Sequence, residues 1–570
     1  MPQAAKTIFP GGDILLILGV VGLLVSMVPV GHEWAATLRP KVVIDLSPWA
    51  LPGYAWLSLC RGMAAYLISL CFTLVYGYWA ARHHASGRIL IPLLDILQSI
   101  PVLGFMPGLV LGLIALFPGS NLGLELAAVL MIFTGQAWNM VFSFHASLTS
   151  LPKDQVEAAA AFRFTWWQRL RWVELPASTT GLVWNSMMSM AGGWFFLMVA
   201  ESFRLGDQDF RLPGLGSYMS EALDQGDWTG MTGGILAMIL VIVALDQVLW
   251  RPLVVWSERF RVEETARTET GRSWMLDLLR DSQLLARVER WLARPRPSAP
   301  AGVAAPGTAT SSPAWAPVIA WLGFATLLIG LALGGWRLLS LLAKVPFTDP
   351  TGQPTTSWSE IAHGTTLTAL RVIGSLVIGS LWAVPAGLAI GGSPRWSRRL
   401  QPVVQVAASF PAPMLFPLCL LIFSAIGLPL GIGSMVLMLL GTQWYILFNV
   451  IAGSQAIPSE LREVATAFRF NRWQRFIRVE LPAVLPALIT GWVTAAGGAW
   501  NASVVAEYLT WRNQVYAVDG LGSTISKAAE HADYPALAAA VLTMAIVVVV
   551  INQLVWQRLR RLAETRFSLA

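Results

Sequence analysis

Charge is what this chain lacks. Asp, Glu, Lys and Arg make up only 12% of its 570 residues, against about 25% in soluble domains. Hydrophobic residues reach 55% and the mean hydropathy is +0.60. A soluble chain of this length cannot keep its surface wet with so few charges. That excludes an ordinary globular protein and leaves a polytopic, all-α membrane protein. Cysteine is nearly absent as well. Cys60, Cys71 and Cys419 lie in apolar runs without paired spacing, so neither a disulfide framework nor a metal cluster is indicated, and six scattered histidines add no ligand set. No glycine-rich Lys-Ser/Thr phosphate loop occurs, so the chain does not bind ATP by that route. No convergent His/Asp/Glu or Ser/His set is present either, and no catalytic residue is expected. The formal charge of +7 would suit nucleic acid, but the surplus arginine sits in short segments between apolar runs. Membrane topology accounts for it there, and no nucleic-acid partner is expected.

What is present in abundance is apolar length. Runs long enough to cross about 30 Å of hydrocarbon fall near 13–31, 56–81, 89–116, 123–147, 177–202 and 232–256. A second set falls near 315–341, 361–391, 400–425, 428–452, 483–508 and 536–557. Lys6 precedes the first run and no small-residue cleavage site follows it, so a retained helix is expected rather than a signal peptide. The two sets align at an offset of 306 from the Gly135/Gly441 pair onward, which matches Gln247 with Gln553. Earlier the offset is 310, matching Arg61 with Arg371 and Pro92 with Pro402. Two halves of six spans each give a parallel repeat about an axis along the membrane normal.

Arginine orients the chain. The segments Arg82–Arg88, Arg251–Arg296, Arg395–Arg399 and Arg558–Arg566 all fall on one side of the alternating topology. The opposite loops are mixed or acidic, as at Asp207, Asp209, Glu221, Asp224 and Asp227. The positive-inside bias makes both termini cytoplasmic. The expected organisation is a first half over 1–256, a connector over 257–314 and a second half over 315–570. In the connector, Ser273 reads as the N-cap of an amphipathic helix near 273–292. Met275, Leu278, Leu279, Ser282 and Leu285 stand at helical spacing there. Such a helix lies on the inner membrane surface or packs on its own protein. From 295 to 317 the chain is rich in Pro, Ala, Gly, Ser and Thr, a flexible tether. A tether between two complete halves implies fused subunits.

One polar segment is kept in both halves. Glu157 to Pro176 reads EAAAAFRFTWWQRLRWVELP and Glu463 to Pro482 reads EVATAFRFNRWQRFIRVELP. Thirteen of the twenty positions are identical, while the apolar spans around them have drifted further. Lipid accepts any apolar side chain, so a polar loop that keeps its residues is held by something it touches. The segments, 152–176 and 458–482, read as a turn or two of helix, an aromatic–Arg–aromatic corner, a basic stretch, and a Leu-Pro that starts the next span.

This pattern resembles the Glu-Ala-Ala loop of ABC-importer permeases: Glu-Ala-Ala, three residues, Gly, nine residues, Ile, any residue, Leu-Pro. Glu157, Ala158, Ala159, Val173, Leu175 and Pro176 match in the first copy, and Glu463, Ala465, Val479, Leu481 and Pro482 in the second. Ala499-Trp500, Val504–Glu507, Gly520-Leu-Gly and Thr366–Arg371 are similar to the nitrate/sulfonate/taurine branch. The resemblance implies two type I importer halves in the bacterial inner membrane, with no cofactor in this chain. It also implies two separate ATPase subunits that bind ATP and Mg, a periplasmic substrate-binding protein, and a small anionic solute such as a sulfonate, nitrate or bicarbonate. The coupling residues it assigns are Glu157, Ala159, Phe162, Arg163, Phe164, Leu175, Pro176, Glu463, Ala465, Phe468, Arg469, Phe470, Leu481 and Pro482. Arg163 and Arg469 stand where the family has Gly. Arginine disfavours the left-handed turn that glycine permits, so a different backbone is expected at the corner, or an arginine that reaches an acidic patch on the partner.

Polar groups within spans are costly in lipid and mark candidate pathway residues. Arg61 and Arg371 sit near the outer ends of their spans, either to attract an anion or, more simply, to snorkel to headgroups. Glu201 and Glu507 lie about 37 Å beyond the Leu-Pro prolines at the helical rise. They read as a gate or as salt-bridge partners of Arg204 and Arg512. Asn185, Asn501, Gln136 and Gln443 read as pore amides or interhelical hydrogen bonds. Asp95 and Asp246 stand near helix ends as possible arginine partners, and Trp194 and Trp500 wall a cavity or pack. Two other readings bear on these residues, and the first of them shares the six-plus-six pattern. A secondary carrier of the major facilitator type would need an acid in the loop over Arg82–Arg88, which has none. A non-transporting membrane scaffold would show no substrate-stimulated ATPase.

Overall fold

The computed structural model describes residues 11–38, 42–205, 208–260, 273–282, 336, 340, 342–343, 347–348, 354–511 and 514–566. Within them the chain is almost wholly helical. The helices are α1 (Gly11–Ala35), α2 (Leu51–Phe72), α3 (His84–Ser99), α4 (Val102–Leu116), α5 (Leu122–Thr149), α6 (Lys153–Ala161), α7 (Leu175–Glu201), α8 (Leu215–Gln225), α9 (Trp228–Leu245) and α10 (Trp274–Asp281). The second half repeats the series as α11 (Trp358–Gly391), α12 (Pro394–Ser409), α13 (Phe416–Ile426), α14 (Leu430–Gln455), α15 (Ser459–Ala467), α16 (Leu481–Ala506), α17 (Leu521–Glu530) and α18 (Tyr534–Ile551). Among the described residues nine helices are long and apolar enough to cross a membrane, or up to eleven with each bent pair counted as one span. The expected first span of the second half, 315–341, lies outside the described residues except for 336 and 340, and Arg512 and the tether lie outside them too.

Two expectations are corrected. The third span of each half is not straight: it breaks between α3 and α4 through 94° and between α12 and α13 through 81°. The cause is written at Ile100-Pro101 and Phe410-Pro411, since a residue before proline is pushed out of the helical region. Ile100 and Phe410 are indeed extended, with ψ of 124° and 128°. At about 1.5 Å per residue, α4 alone falls short of the hydrocarbon thickness. The second correction concerns Pro176 and Pro482, which do not start a helix. One continuous helix runs from Trp166 to Glu201 and another from Arg472 to Ala506. Each passes its proline through a π-helical turn, Leu170–Glu174 or Phe476–Glu480. The Leu175 N–H reaches back five residues to the Leu170 carbonyl, the wider turn that relieves the clash of a proline ring with the carbonyl four back.

The bent arms knit the halves together. Val102, Leu103, Met106 and Val110 of α4 are buried in the core built by α11, α14, α16 and α18. In return, Met414 is buried among Met187, Met190, Trp194 and Leu197 of the first half. The side chains of α1 are mostly exposed and apolar, as suits a helix surrounded by lipid. It is tied to the bundle by the Trp56 indole N–H on the Ser26 carbonyl (2.8 Å). Ser273 caps α10 as expected, accepting from the Leu276 N–H. This helix packs on its own protein, with the Ser282 hydroxyl on buried Asp13 of α1 at 2.6 Å. It stops at Asp281, and Leu285 lies outside the described residues.

Candidate functional site

Each repeated loop is built around one strained residue. Arg163 and Arg469 both stand at φ 52°, among only three non-glycine residues with positive φ in the described chain. The expected change of backbone at this corner is therefore wrong: arginine takes the left-handed turn that glycine would take. Hydrogen bonds hold it there. The N–H groups of Arg163 and Phe164 donate to the carbonyls of Ala160 and Ala159, both at 3.0 Å. Arg469 and Phe470 donate to Thr466 and Ala465, again at 3.0 Å. This paired closure of a helix C-terminus satisfies carbonyls that would otherwise be orphaned, and offsets a left-handed cost of about 1–2 kcal/mol. The next turn starts from a capping box, Thr165 with Gln168 or Asn471 with Gln474.

The outer face of this corner is uncovered. Ala159 and Ala465 are buried, but Glu157 and Glu463 on the same short helices face outward. Phe162 and Phe468 are 76% and 72% exposed, and Phe164, Trp166, Trp167, Trp172 and Trp473 are exposed with them. Large apolar side chains crowded at one polar turn mark a contact surface. Leu175, Pro176, Leu481 and Pro482 are half-buried behind it. Arg169 anchors the first loop on buried Glu174 at 2.7 Å, joined there by Arg82. Arg475 and Glu480 repeat the contact at 2.7 Å. Arg462 adds bonds to the carbonyls of Ser454 (2.7 Å) and Gly392 (3.4 Å).

At the other end of the long helices lie two ion clusters, the first of them sealed. Arg61 is fully buried, which rules out snorkelling. Its Nε and Nη2 grip Glu125 at 2.5 and 2.7 Å, and its Nη1 reaches Glu201 at 2.8 Å and the Pro213 carbonyl at 2.7 Å. Glu201 also accepts from the Ser58 hydroxyl (2.7 Å) and the Gly216 N–H (2.7 Å). Arg371 holds Glu507 at 2.8 Å, with Thr368 and the Gly522 N–H completing the set. The carboxylates thus pair with Arg61 and Arg371; Arg512 and the Arg204 side chain lie outside what the structure describes. Glycine is required here: a Cβ on Gly214 would lie 2.3 Å from Glu201 Cδ, and one on Gly520 would lie 2.2 Å from Glu507 Oε2. Sequence reasoning missed Glu125, although an acid inside an apolar span was the available signal.

Cavities line the seam between the halves. Asn185, Trp500 and Asn501 come together in one of about 720 Å³ toward the arginine-rich end, with Asn139, Thr134 and Thr490. Asp95 and Arg560 line it too, and Asp95 accepts from Gln98 at 3.0 Å. Arg61, Arg371, Glu201 and Glu507 do not line it, and Trp194 instead borders a small pocket beside Asp246 and Gln405. A narrow aromatic space of about 70 Å³ follows, where Phe195, Phe196, Phe410 and Tyr445 meet. Toward the opposite end is a third cavity of about 520 Å³. There burial and the Glu530 carboxylate, to which its hydroxyl donates, push the Tyr508 phenol up, so it stays protonated. The Asn501 side-chain oxygen accepts the Val102 N–H at 2.7 Å across the seam, capping α4 from the other half. Gln136 is buried beside Ser69 and Met190 within the first half.

The sequence model of the family described as binding-protein-dependent transport system inner membrane component matches the chain twice, over residues 73–249 and 375–567. A nitrate import permease from Leptolyngbya laminosa is 31% identical over 140 residues, 25% of this chain and 49% of the relative. A riboflavin transport system permease from Chloroflexus aurantiacus is 34% identical over 155 residues, 27% of this chain and 54% of the relative. The chain thus spans about half the length of these two relatives. A glycine betaine transport system permease from Bacillus subtilis is 26% identical over 248 residues, 42% of this chain and 82% of the relative.

Proposed function

The chain belongs to the family of binding-protein-dependent transport system inner membrane components, and from that premise we propose that it forms both permease halves of an ATP-driven importer. In this reading the two loops dock two separate ATP-binding cassette ATPases on the cytoplasmic side of the bacterial inner membrane. ATP and Mg are bound by those subunits, and a periplasmic binding protein delivers the solute. The observation that carries it is the loop itself: one left-handed corner, one buried alanine and an exposed aromatic face, built twice. A family match of this kind replaces the major facilitator reading.

The mechanism follows from helix continuity. A loop docked on an ATPase is one end of a rod that runs unbroken past the seam cavity to Glu201. The far end is clamped by Arg61. Closure of the ATPases therefore tilts the cavity wall instead of bending a joint, and the two rods alternate access between the sides of the membrane. The nitrate relative supports an anionic solute for this chain as well. With Arg61 engaged in its own cluster, the seam would recognise that solute through amide donors such as Asn185 and Asn501, each of which keeps one proton after bonding its own helix.

Co-expression with a candidate ATPase tests the assignment. Glu157→Lys with Glu463→Lys should abolish co-purification and solute-stimulated ATP hydrolysis while the chain stays monodisperse. Unchanged association and stimulation would sink the docking role.

A further inference from the structure

Arg61 and Arg371 occupy matching places in the two halves, and their surroundings correspond group for group with one exception. Nη1 does the same work in both. It reaches Glu201 and the Pro213 carbonyl in the first half, and Glu507 and the Asp519 carbonyl (2.7 Å) in the second. Ser58 and Thr368 likewise place a hydroxyl on the carboxylate in each. The other side of the fork differs. Nε and Nη2 of Arg61 hold the two oxygens of Glu125, a residue in the first turn of α5. Nε and Nη2 of Arg371 have no acceptor among the described residues. Beside the Arg371 fork, in the first turn of α14, stands Gly431, where a Cβ would lie 3.8 Å from Arg371 Nη2. The Arg371 side chain is 12% exposed and that of Arg61 is closed off entirely.

We propose that the free side of the Arg371 guanidinium, opposite Gly431, binds an oxyanion in the position that Glu125 takes beside Arg61. The first cluster is the precedent. The first cluster holds one guanidinium and two carboxylates, the second one guanidinium and one carboxylate, so a bound oxyanion gives both the same composition. The stereochemistry favours it as well. A planar fork with two parallel N–H groups matches a carboxylate, nitrate or phosphate edge, and charge-assisted bonds of that kind are the strong ones. Gly431, the one residue type without a side chain, leaves room beside Nη2. Two sources share this chemistry, a small anion from the outer aqueous phase and the phosphate of a lipid headgroup.

The site is tested by equilibrium binding, apart from any ATPase or transport. For the delipidated protein, the unfolding midpoint is followed in sodium acetate or sodium nitrate against sodium fluoride at equal ionic strength. A saturable upward shift that is lost in Gly431→Glu, which rebuilds the first half's triad, identifies a free oxyanion. Arg371→Lys should lose it too, because an ammonium can hold Glu507 but offers no second arm; it covers the case in which Gly431→Glu misfolds. Native mass spectrometry in phosphatidylglycerol reads the other source: a retained lipid in the parent protein, lost in both variants, identifies the headgroup phosphate. If neither the salts nor the lipid distinguish the parent from the two variants, the proposal is wrong.

Discussion

Arginine at 163 and 469 shows how a residue can occupy an unfavourable conformation when its neighbours fix it. The left-handed turn is closed by two N–H donors in each copy, so the side chain is tolerated where glycine is the cheaper choice. Replacing both by glycine should therefore leave the corner intact. Arg163→Gly with Arg469→Gly is expected to change the thermal unfolding midpoint little and to retain ATPase co-purification; loss of association would show that the guanidinium itself contacts the partner. Arg61 behaves oppositely. Arg61→Leu leaves Glu125 and Glu201 buried without a counter-charge. The expected loss is about 3–5 kcal/mol, seen as a collapse of the monodisperse fraction in size-exclusion chromatography. Glu125 and Arg61 were each visible in the sequence as charges in apolar runs. Their pairing was not, because 64 residues separate them and no local spacing encodes that contact.

At the scale of elements, prolines did two different things. Pro101 and Pro411 broke a span, because each lies two residues into an extended linker after a helix. Pro176 and Pro482 did not, because a π turn absorbed them. Residue type was the same in all four places, and what differed was the residue before it, extended at Ile100 and Phe410 and helical at Leu175 and Leu481. The unbroken rod yields a prediction. Gly-Gly inserted between Arg475 and Phe476 introduces flexible backbone at about 1 kcal/mol per residue of helix. The ATPase should still co-purify, but solute should no longer stimulate its hydrolysis; preserved stimulation would show that force does not travel through this helix.

At the scale of the whole molecule, the halves are interlocked and not merely tethered. Gly104 of α4 faces Val541 of α18, and a Cβ on Gly104 would lie 3.5 Å from the Val541 Cβ. That separation suits a disulfide. In a background without Cys60, Cys71 and Cys419, Gly104→Cys with Val541→Cys should oxidise to an intramolecular bridge, visible as altered mobility on a non-reducing gel after cleavage in the connector. If alternate access requires the seam to open, transport should stop on oxidation and return with reductant. Transport that continues through the locked seam would place the moving interface elsewhere.

Membrane class, the two halves and the loop that both keep are legible along the chain. These follow from composition, from hydrophobic length and from identity at a fixed offset, all properties of residues near one another along the chain. What the buried charges do emerges from the fold alone. It paired Arg61 with Glu125 and Glu201, brought Asn185 and Asn501 to one cavity, and left half of the Arg371 fork without an acceptor among the described residues. Desolvation forces a buried charge to find a partner, yet which partner depends on helices that meet in space and not in sequence.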